Sequence, residues 1–152
     1  MRFSKSVAVV AASLFGLCAL PAAAQETPAA PAGGQLLFQL NNAQTVEGGC
    51  QLTFVIKNDT GVQIDKSSYN MAIVNASGQV STLITFEFRP LPVGRTKVQQ
   101  FGLAGQPCDN ISAISINEFV ECLGSDGAAS PVCEADIVQS SKTTIQFPWE
   151  LQ

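Results

Sequence analysis

The sequence predicts an all-β protein, a single antiparallel β-sandwich of about seven strands held by two disulfides. Apolar and polar residues alternate over most of the chain beyond residue 34, and this period of two is typical of half-buried strands. Turns rich in glycine, asparagine and aspartate separate the alternating segments, as at residues 47–49, 58–61 and 75–78. Four cysteines lie in the same region, and small exported domains use disulfides to reinforce a limited core.

Seven segments carry this alternation, and their inward positions define the predicted strands in chain order. Glu118 interrupts the inward phase of the sixth segment, and a bulge near Phe119 would restore it. The stretch from Glu134 to Ser141 lacks the alternation and is predicted to form a helical turn before the last strand. The predicted inward positions are Leu36, Phe38 and Leu40; Cys50, Leu52, Phe54 and Ile56; Tyr69, Met71 and Ile73; Ile84, Phe86 and Phe88; Thr96 and Val98; Ile114, Ile116, Val120 and Cys122; and Thr143, Ile145 and Phe147.

Residues 1–24 have the parts of a secretory signal peptide. Two basic residues precede an apolar core over residues 7–20, and Ala22–Ala24 form a small-residue cleavage site. The apolar core is too short to span a bilayer, so we expect no membrane span. Residues 25–34 are rich in alanine, proline and glycine and predict a flexible linker, which leaves 35–152 as the sandwich domain. We therefore expect an exported, periplasmic protein.

The charge balance argues against nucleic acid as a partner. Without the two basic residues of the signal peptide, the mature chain has six basic and twelve acidic residues, a net charge of −6. Binding to a phosphate backbone requires clustered lysine and arginine, and these six residues are scattered along the sequence. The acidic balance mainly favours solubility.

Strand direction favours one of the three possible pairings of the four mature cysteines. If successive strands alternate in direction, the second and sixth strands run the same way, which puts Cys50 and Cys108 at one end of the sandwich. Cys122 and Cys133 flank a loop at the opposite end. A bridge between Cys50 and Cys122 would join opposite ends of strands about 25 to 35 Å long, whereas a disulfide needs Cα atoms within about 7 Å. We expect the structural bridges Cys50–Cys108 and Cys122–Cys133.

The composition also argues against metal sites and the common hydrolase mechanisms. The chain has no histidine, and no two cysteines have the Cys-x-x-Cys spacing of zinc sites or redox pairs. Without an imidazole, Ser-His-Asp and Cys-His catalysis are excluded. Ser68-Tyr69-Asn70 resembles the second motif of penicillin-recognising enzymes, but both companion motifs are missing. We expect no catalytic residue, no cofactor and no enzyme activity.

One candidate ligand site lies at the end of the predicted sandwich that carries the second disulfide. Glu121, Asp126, Glu134 and Asp136 gather acidic groups there, which could hold calcium, although their spacing matches no EF-hand loop. Trp149, the only tryptophan, is either an anchor for a partner or a cover for the edge of the core. A site for a small ligand, a glycan or calcium would place Glu121, Asp126 and Trp149 on one concave surface.

Five segments of the mature chain form a recognisable succession, namely residues 50–58, 78–80, 91–96, 108–111 and 116–122. Together they resemble a family of small uncharacterised proteins exported to the alphaproteobacterial periplasm. The first half also resembles the immunoglobulin-like or fibronectin-like pattern of bacterial envelope modules. This resemblance implies an immunoglobulin-like sandwich in the periplasm, and it implies no activity and no site residues.

Three functional hypotheses remain from the sequence. The first is a non-enzymatic envelope module that binds another protein or supports the envelope, through an exposed strand edge or the Cys122–Cys133 loop. The second is binding of a small ligand, a glycan or calcium at the acidic end. The third, a hydrolase without histidine, would need a buried carboxylate or lysine with a strongly shifted pKa in a cleft.

Overall fold

The computed structural model describes residues 34–134, 137–148 and 150–151. The predicted signal peptide, the linker up to residue 33, Asp136 and Trp149 lie outside these residues. The described chain forms strands and two short 3-10 turns, which confirms the all-β prediction, and it has no helix long and apolar enough to cross a bilayer. The strands are β1 (Leu36–Val46), β2 (Gly49–Asn58), β3 (Lys66–Asn75), β4 (Val80–Phe88), β5 (Thr96–Ala104), β6 (Ile111–Leu123) and β7 (Ile137–Ser141).

Two sheets face each other across one hydrophobic core. The strand order is β5-β2-β1-β7 in the first sheet and β4-β3-β6 in the second. The predicted antiparallel pairing holds for every neighbouring pair of these strands except β1 with β7, which run parallel. Strands that alternate in direction along the chain make the first and the seventh run the same way, so these two must be parallel once they are neighbours.

Aromatic side chains from both sheets meet at the centre of the core. Phe38 of β1 packs edge-on against Tyr69 of β3, with ring centroids 5.4 Å apart. Phe54 of β2 contacts four further rings at centroid distances of 5.5 to 6.1 Å, those of Phe86, Phe88, Phe101 and Phe147. Burying side chains of this size stabilises a fold by roughly 1.5 to 3 kcal/mol each. The inward residues predicted for β1, β2 and β3 are all buried, which confirms the phase of those strands.

Both predicted disulfides are confirmed. Cys50 at the start of β2 bridges Cys108, which lies just before β6, with Cα atoms 4.8 Å apart. Cys122 near the end of β6 bridges Cys133, with Cα atoms 6.0 Å apart. The four cysteines are buried, so the bridges fix the two ends of the core.

The predicted bulge in β6 is confirmed, but one residue was assigned to the wrong face. The register with β3 skips Val120 between Glu121 and Phe119. Phe119 therefore turns inward, and its ring centroid lies 6.1 Å from that of Tyr69. The extra residue reverses the alternation, so Val120 is 51% exposed and not inward as predicted.

The predicted phase of β5 is wrong. Thr96 and Val98 face outward, and Val98 is 63% exposed. The inward positions are the odd-numbered ones. Phe101 and Leu103 reach the core from these positions, and Lys97 occupies the first of them at the start of the strand. The first two inward positions hold the polar residues Lys97 and Gln99, whereas the outward positions beside them hold Thr96 and Val98. The hydrophobic pattern therefore predicted the opposite phase.

The predicted last strand is also wrong. The stretch assigned to a helical turn contains β7, whereas residues 143–147 form a bend with a single bridge from Gln146 to Ala113. The Ser141 hydroxyl lies 2.6 Å from the Ile145 carbonyl, and the Thr143 hydroxyl accepts the Ile145 N–H. These local side-chain bonds compete with a strand ladder, although Ile145 and Phe147 still reach the core.

Candidate functional site

The predicted site residue Glu121 lies on β6 in a small ion cluster. Its carboxylate is 2.8 Å from the ammonium of Lys66, and Glu87 of β4 lies 3.9 Å from the same ammonium. The hydrogen bond to Glu121 and the two negative charges raise the pKa of Lys66. All three side chains are well exposed, so the cluster orients them across the second sheet more than it stabilises the fold.

The predicted site residue Asp126 closes its own turn after β6. Its Oδ1 accepts the Ala128 N–H at 2.9 Å, and the Gly124 N–H donates to the Ala128 carbonyl at 2.9 Å. Gly127 takes a φ of +74° there, a conformation that residues with a Cβ rarely adopt. A shallow groove of about 300 Å³ runs beside this turn and is lined in part by Val62.

The predicted surface of three residues stays a prediction. Glu121 and Asp126 each make separate local contacts, and Glu134 is exposed after the turn Pro131–Cys133. Trp149 lies outside the described residues. Within the part of the chain that is described, no three histidine, cysteine or acidic residues are placed to share a metal ion.

A second groove, of about 490 Å³, lies between the edges of β4 and β5. Each of these strands ends its sheet, so the groove runs along the open side of the molecule. The groove is lined by Glu87, Arg89, Val98, Gln99, Gln100 and Phe101.

Gln99 and Phe101 give this groove its floor. The Gln99 side chain accepts the Arg89 N–H at 2.9 Å and donates to the Arg89 carbonyl at 3.4 Å. Phe101 stacks on Phe86 of β4, with centroids 4.5 Å apart and an interplanar angle of 8°. The amide and the rings thus join the two edge strands without a backbone ladder between them.

The hydrogen-bond pattern decides which backbone groups of β5 face the groove. β2 and β5 pair in one register over nine residue pairs. At one end the Asn58 N–H donates to the Arg95 carbonyl, and at the other the Gly105 N–H donates to the Gly48 carbonyl. Bonded and non-bonded pairs alternate in an antiparallel ladder, so the odd residues of β5 bond β2 and the even residues direct N–H and C=O outward. Val98 and Gln100 are central among these outward residues.

No protein-family model, curated protein or solved structure matches this chain. The functional assignment therefore depends on the geometry of its surface.

Among the edge strands of the described chain, β5 is the one that has more than five residues and also keeps a single register with its neighbour. β7 has five residues, whereas β5 has nine. β6 carries register shifts, and its start is bridged by Gln146. The pairing of β4 with β3 shifts register between Ile73 and Val74 of β3. There the Ser81 hydroxyl of β4 donates to the Ile73 carbonyl at 3.0 Å. Short length and bulges protect sheet edges from pairing, and β5 has neither protection.

Sequence reasoning named an exposed strand edge as a binding element but did not identify β5. Which strand lies at an edge depends on the order of strands in the sheet, a non-local property that alternation does not encode. Two local signals were present, the outward Val98 and the paired glutamines Gln99 and Gln100, and the wrong phase of β5 concealed both.

Proposed function

We propose that this chain is an exported, non-enzymatic module with an immunoglobulin-like sandwich, and that it binds another protein in the periplasm along β5. The observation that carries the proposal is the regular nine-residue edge, whose even residues direct their backbone groups outward. An extended segment that adds to such an edge gains a row of main-chain hydrogen bonds, while the neighbouring grooves select its side chains. The groove beside Val98 and Phe101 supplies that selection.

The groups with perturbed pKa values support a non-enzymatic role. Burial raises the pKa of Tyr69, whose hydroxyl donates to the Cys133 carbonyl at 3.1 Å inside the core. Lys66 has a raised pKa on the surface and stays protonated, so it is no general base. Both groups have structural partners and neither lines the groove beside β5.

The two disulfides support export. Disulfides persist in oxidising compartments such as the bacterial periplasm and are rare in the cytosol. Cell fractionation combined with alkylation of free thiols checks this part of the proposal. A mature chain found in the periplasm with all four cysteines oxidised supports it, and a reduced cytosolic chain overturns it.

Site-specific photo-crosslinking in cells tests the binding edge. A photoreactive amino acid is placed at Val98 on β5 or, as the matched control, at Val138 on β7, which lies at the opposite edge of the same sheet. Both positions are exposed, at 63% and 40%. Partners captured from each position are identified by mass spectrometry and then tested as purified proteins.

Capture of one identified partner from Val98 alone, with direct binding of the purified pair, supports the proposal. The variant Gln100→Pro should then abolish binding, because it removes an outward N–H and leaves the ladder with β2 intact. Equal capture from both positions, or no reproducible partner from Val98, would overturn a role for this edge.

A further inference from the structure

Positive charge is concentrated beside the first half of β5. Of the six basic residues in the described chain, Lys57 and Lys66 form ion pairs. Arg89, Arg95 and Lys97 are exposed, and none of them has an ion-pair partner among the residues described. The basic residues are dispersed in sequence, but these three lie along the first half of β5.

The fold brings this basic cluster (Arg89, Arg95 and Lys97) together through backbone contacts. The Arg95 carbonyl accepts the Asn58 N–H at 3.3 Å directly before β5, and Lys97 is the second residue of the strand. Arg89 follows β4, but the Gln99 amide binds both of its backbone groups and holds it against β5. Arg95 and Lys97 therefore lie at the start of β5, and Arg89 lies further along the same edge, level with Gln99.

After Lys97, the same edge presents apolar side chains. Val98 presents its side chain on the outer face, and Phe101 is partly exposed in the groove. A segment added to β5 would place successive side chains on opposite faces, so its apolar residues would contact Val98 on one face and Phe101 on the other.

We infer that β5 receives an extended peptide segment that is acidic beside Arg95 and Lys97, at the start of the strand, and apolar beside Val98 and Phe101. This inference rests on the proposed function and names the chemistry of the partner. The rest of the surface strengthens the selection, because the mature chain carries twelve acidic residues against six basic ones. An acidic segment is repelled by most of that surface and attracted to the start of β5.

Two synthetic peptides test the inference on the full mature chain. Both match the nine residues of β5 in length, and the first six residues of each combine threonine and valine so that valine lies on both faces of the extended segment. One ends in three aspartates and the other in three lysines, because an antiparallel addition places the carboxyl end of the peptide beside the start of β5. Binding is measured by fluorescence anisotropy, and the contacted backbone by shifts of the amide resonances.

The aspartate peptide should bind roughly tenfold more tightly than the lysine peptide, and added salt should reduce this difference. The amide shifts should be largest at Val98 and Gln100. The double variant Arg95→Glu with Lys97→Glu should reverse the preference. Lys142→Glu is the matched control, since this exposed lysine follows β7 at the other edge of the sheet, and it should leave the preference unchanged.

Two further measurements separate strand addition from attraction by charge alone. Gln100→Pro should weaken the aspartate peptide, and so should N-methylation of alternate peptide amides, which leaves the protein unaltered. Aspartate-peptide binding that survives both changes, or a preference that survives the double charge reversal, would overturn the inference. Dimers of the protein that Gln100→Pro dissociates would assign the edge to a second copy and overturn it as well.

The inference and the proposed function can fail separately. A partner captured from Val98 together with equal binding of the two peptides would refute the acidic segment and leave strand addition standing. No captured partner and no binding of either peptide would refute both.

Discussion

The side-chain amide of Gln99 binds both backbone groups of Arg89, accepting its N–H at 2.9 Å and donating to its carbonyl at 3.4 Å. In this way one side chain of β5 substitutes for a strand partner at the end of β4. The open side of the molecule is therefore joined by this amide and by the stacked rings of Phe86 and Phe101 rather than by a ladder.

Replacing Gln99 by alanine should lower the free energy of unfolding by about 1 kcal/mol, because both hydrogen bonds are lost at a partly exposed site. Gln100→Ala is the matched control. Gln100 makes one exposed bond, to the Thr53 hydroxyl at 3.0 Å, so its loss should be smaller. Urea unfolding measures both variants, and an equal loss in the two would contradict a special role for Gln99.

The two disulfides should differ in their contribution to stability because they close loops of different length. Cys50 and Cys108 are 58 residues apart, and Cys122 and Cys133 are 11 apart. The chain-entropy model gives about 4 kcal/mol for the longer loop and about 3 kcal/mol for the shorter one. Thermal unfolding of the two paired cysteine-to-alanine variants should show the lower midpoint for the Cys50–Cys108 pair.

The single variant Cys108→Ala tests the same bridge chemically. It should destabilise the domain and leave Cys50 as a free thiol, which mass mapping of alkylated cysteines detects. Cys50 found in a new bridge in this variant would contradict the independence of the two disulfides.

Asn58 should tolerate no change of its amide group. Its Nδ2 donates to the carbonyls of Val62 at 2.8 Å and Leu91 at 2.7 Å, and its Oδ1 accepts from the N–H and the hydroxyl of Thr60. Asn58→Asp replaces the donors by a buried carboxylate facing two carbonyls, which should cost about 3 kcal/mol or more near neutral pH.

This cost should depend on pH. Burial beside carbonyl oxygens raises the pKa of the new carboxyl in the folded state, so the variant should be least destabilised in acid and lose stability as pH rises above the unfolded value. Asn75→Asp is the control, because Asn75 uses only its Oδ1, which accepts from Ser77 and Gln79. Unfolding curves at several pH values should be nearly unchanged for that control.

Tyr69 should make stability fall in alkali. Its pKa is raised by burial, so the folded chain keeps the proton at a pH where the unfolded chain, with a value of 10.0, releases it. The stability from the neutral hydroxyl is complete below pH 10 and is lost as pH rises further. The chain has one tyrosine, so tyrosinate absorbance reports this group alone.

Tyr69→Phe should cost about 1 kcal/mol near neutral pH, because the Cys133 carbonyl loses its donor. The variant should also lose the part of the alkaline decline that belongs to Tyr69. An alkaline decline of the same size in Tyr69→Phe would attribute it to other groups.

Asp126→Ala should change the stability little, since it removes one exposed hydrogen bond to Ala128. The same variant tests calcium binding at the predicted acidic end. Calcium should leave the unfolding midpoint of both the natural chain and the variant unchanged. A midpoint that calcium raises in the natural chain, but not in Asp126→Ala, would establish the calcium site instead.

The sequence was informative where local pattern and chain direction were sufficient. Alternation located β1 to β4, the interruption at Glu118 located the bulge, and alternating direction paired all four cysteines. It failed where contacts elsewhere outweighed local pattern. Lys97 and Gln99 take inward positions on β5 because that edge opens to solvent, and the hydroxyls of Ser141 and Thr143 convert an apparent strand into a turn.

The candidate site was less accessible to sequence reasoning than the fold. β5 lies at an edge because β2 is its one neighbour in the described sheet, and Arg89 lies beside β5 because Gln99 holds it. Both depend on contacts between segments that are distant or unpatterned in the sequence. The acidic residues that did stand out in the sequence are largely engaged locally, by Lys66 and by the turn at Ala128.

The parallel pairing of β1 with β7 links the start of the domain to its end. A ribosome makes the chain from its N-terminus, so β1 is made before its neighbour over residues 137–141. Until then one side of β1 has no ladder partner, and the first sheet cannot be completed. The first sheet is thus completed only once residues 137–141 are available, and a chain that lacks them would retain an unpaired edge prone to aggregation.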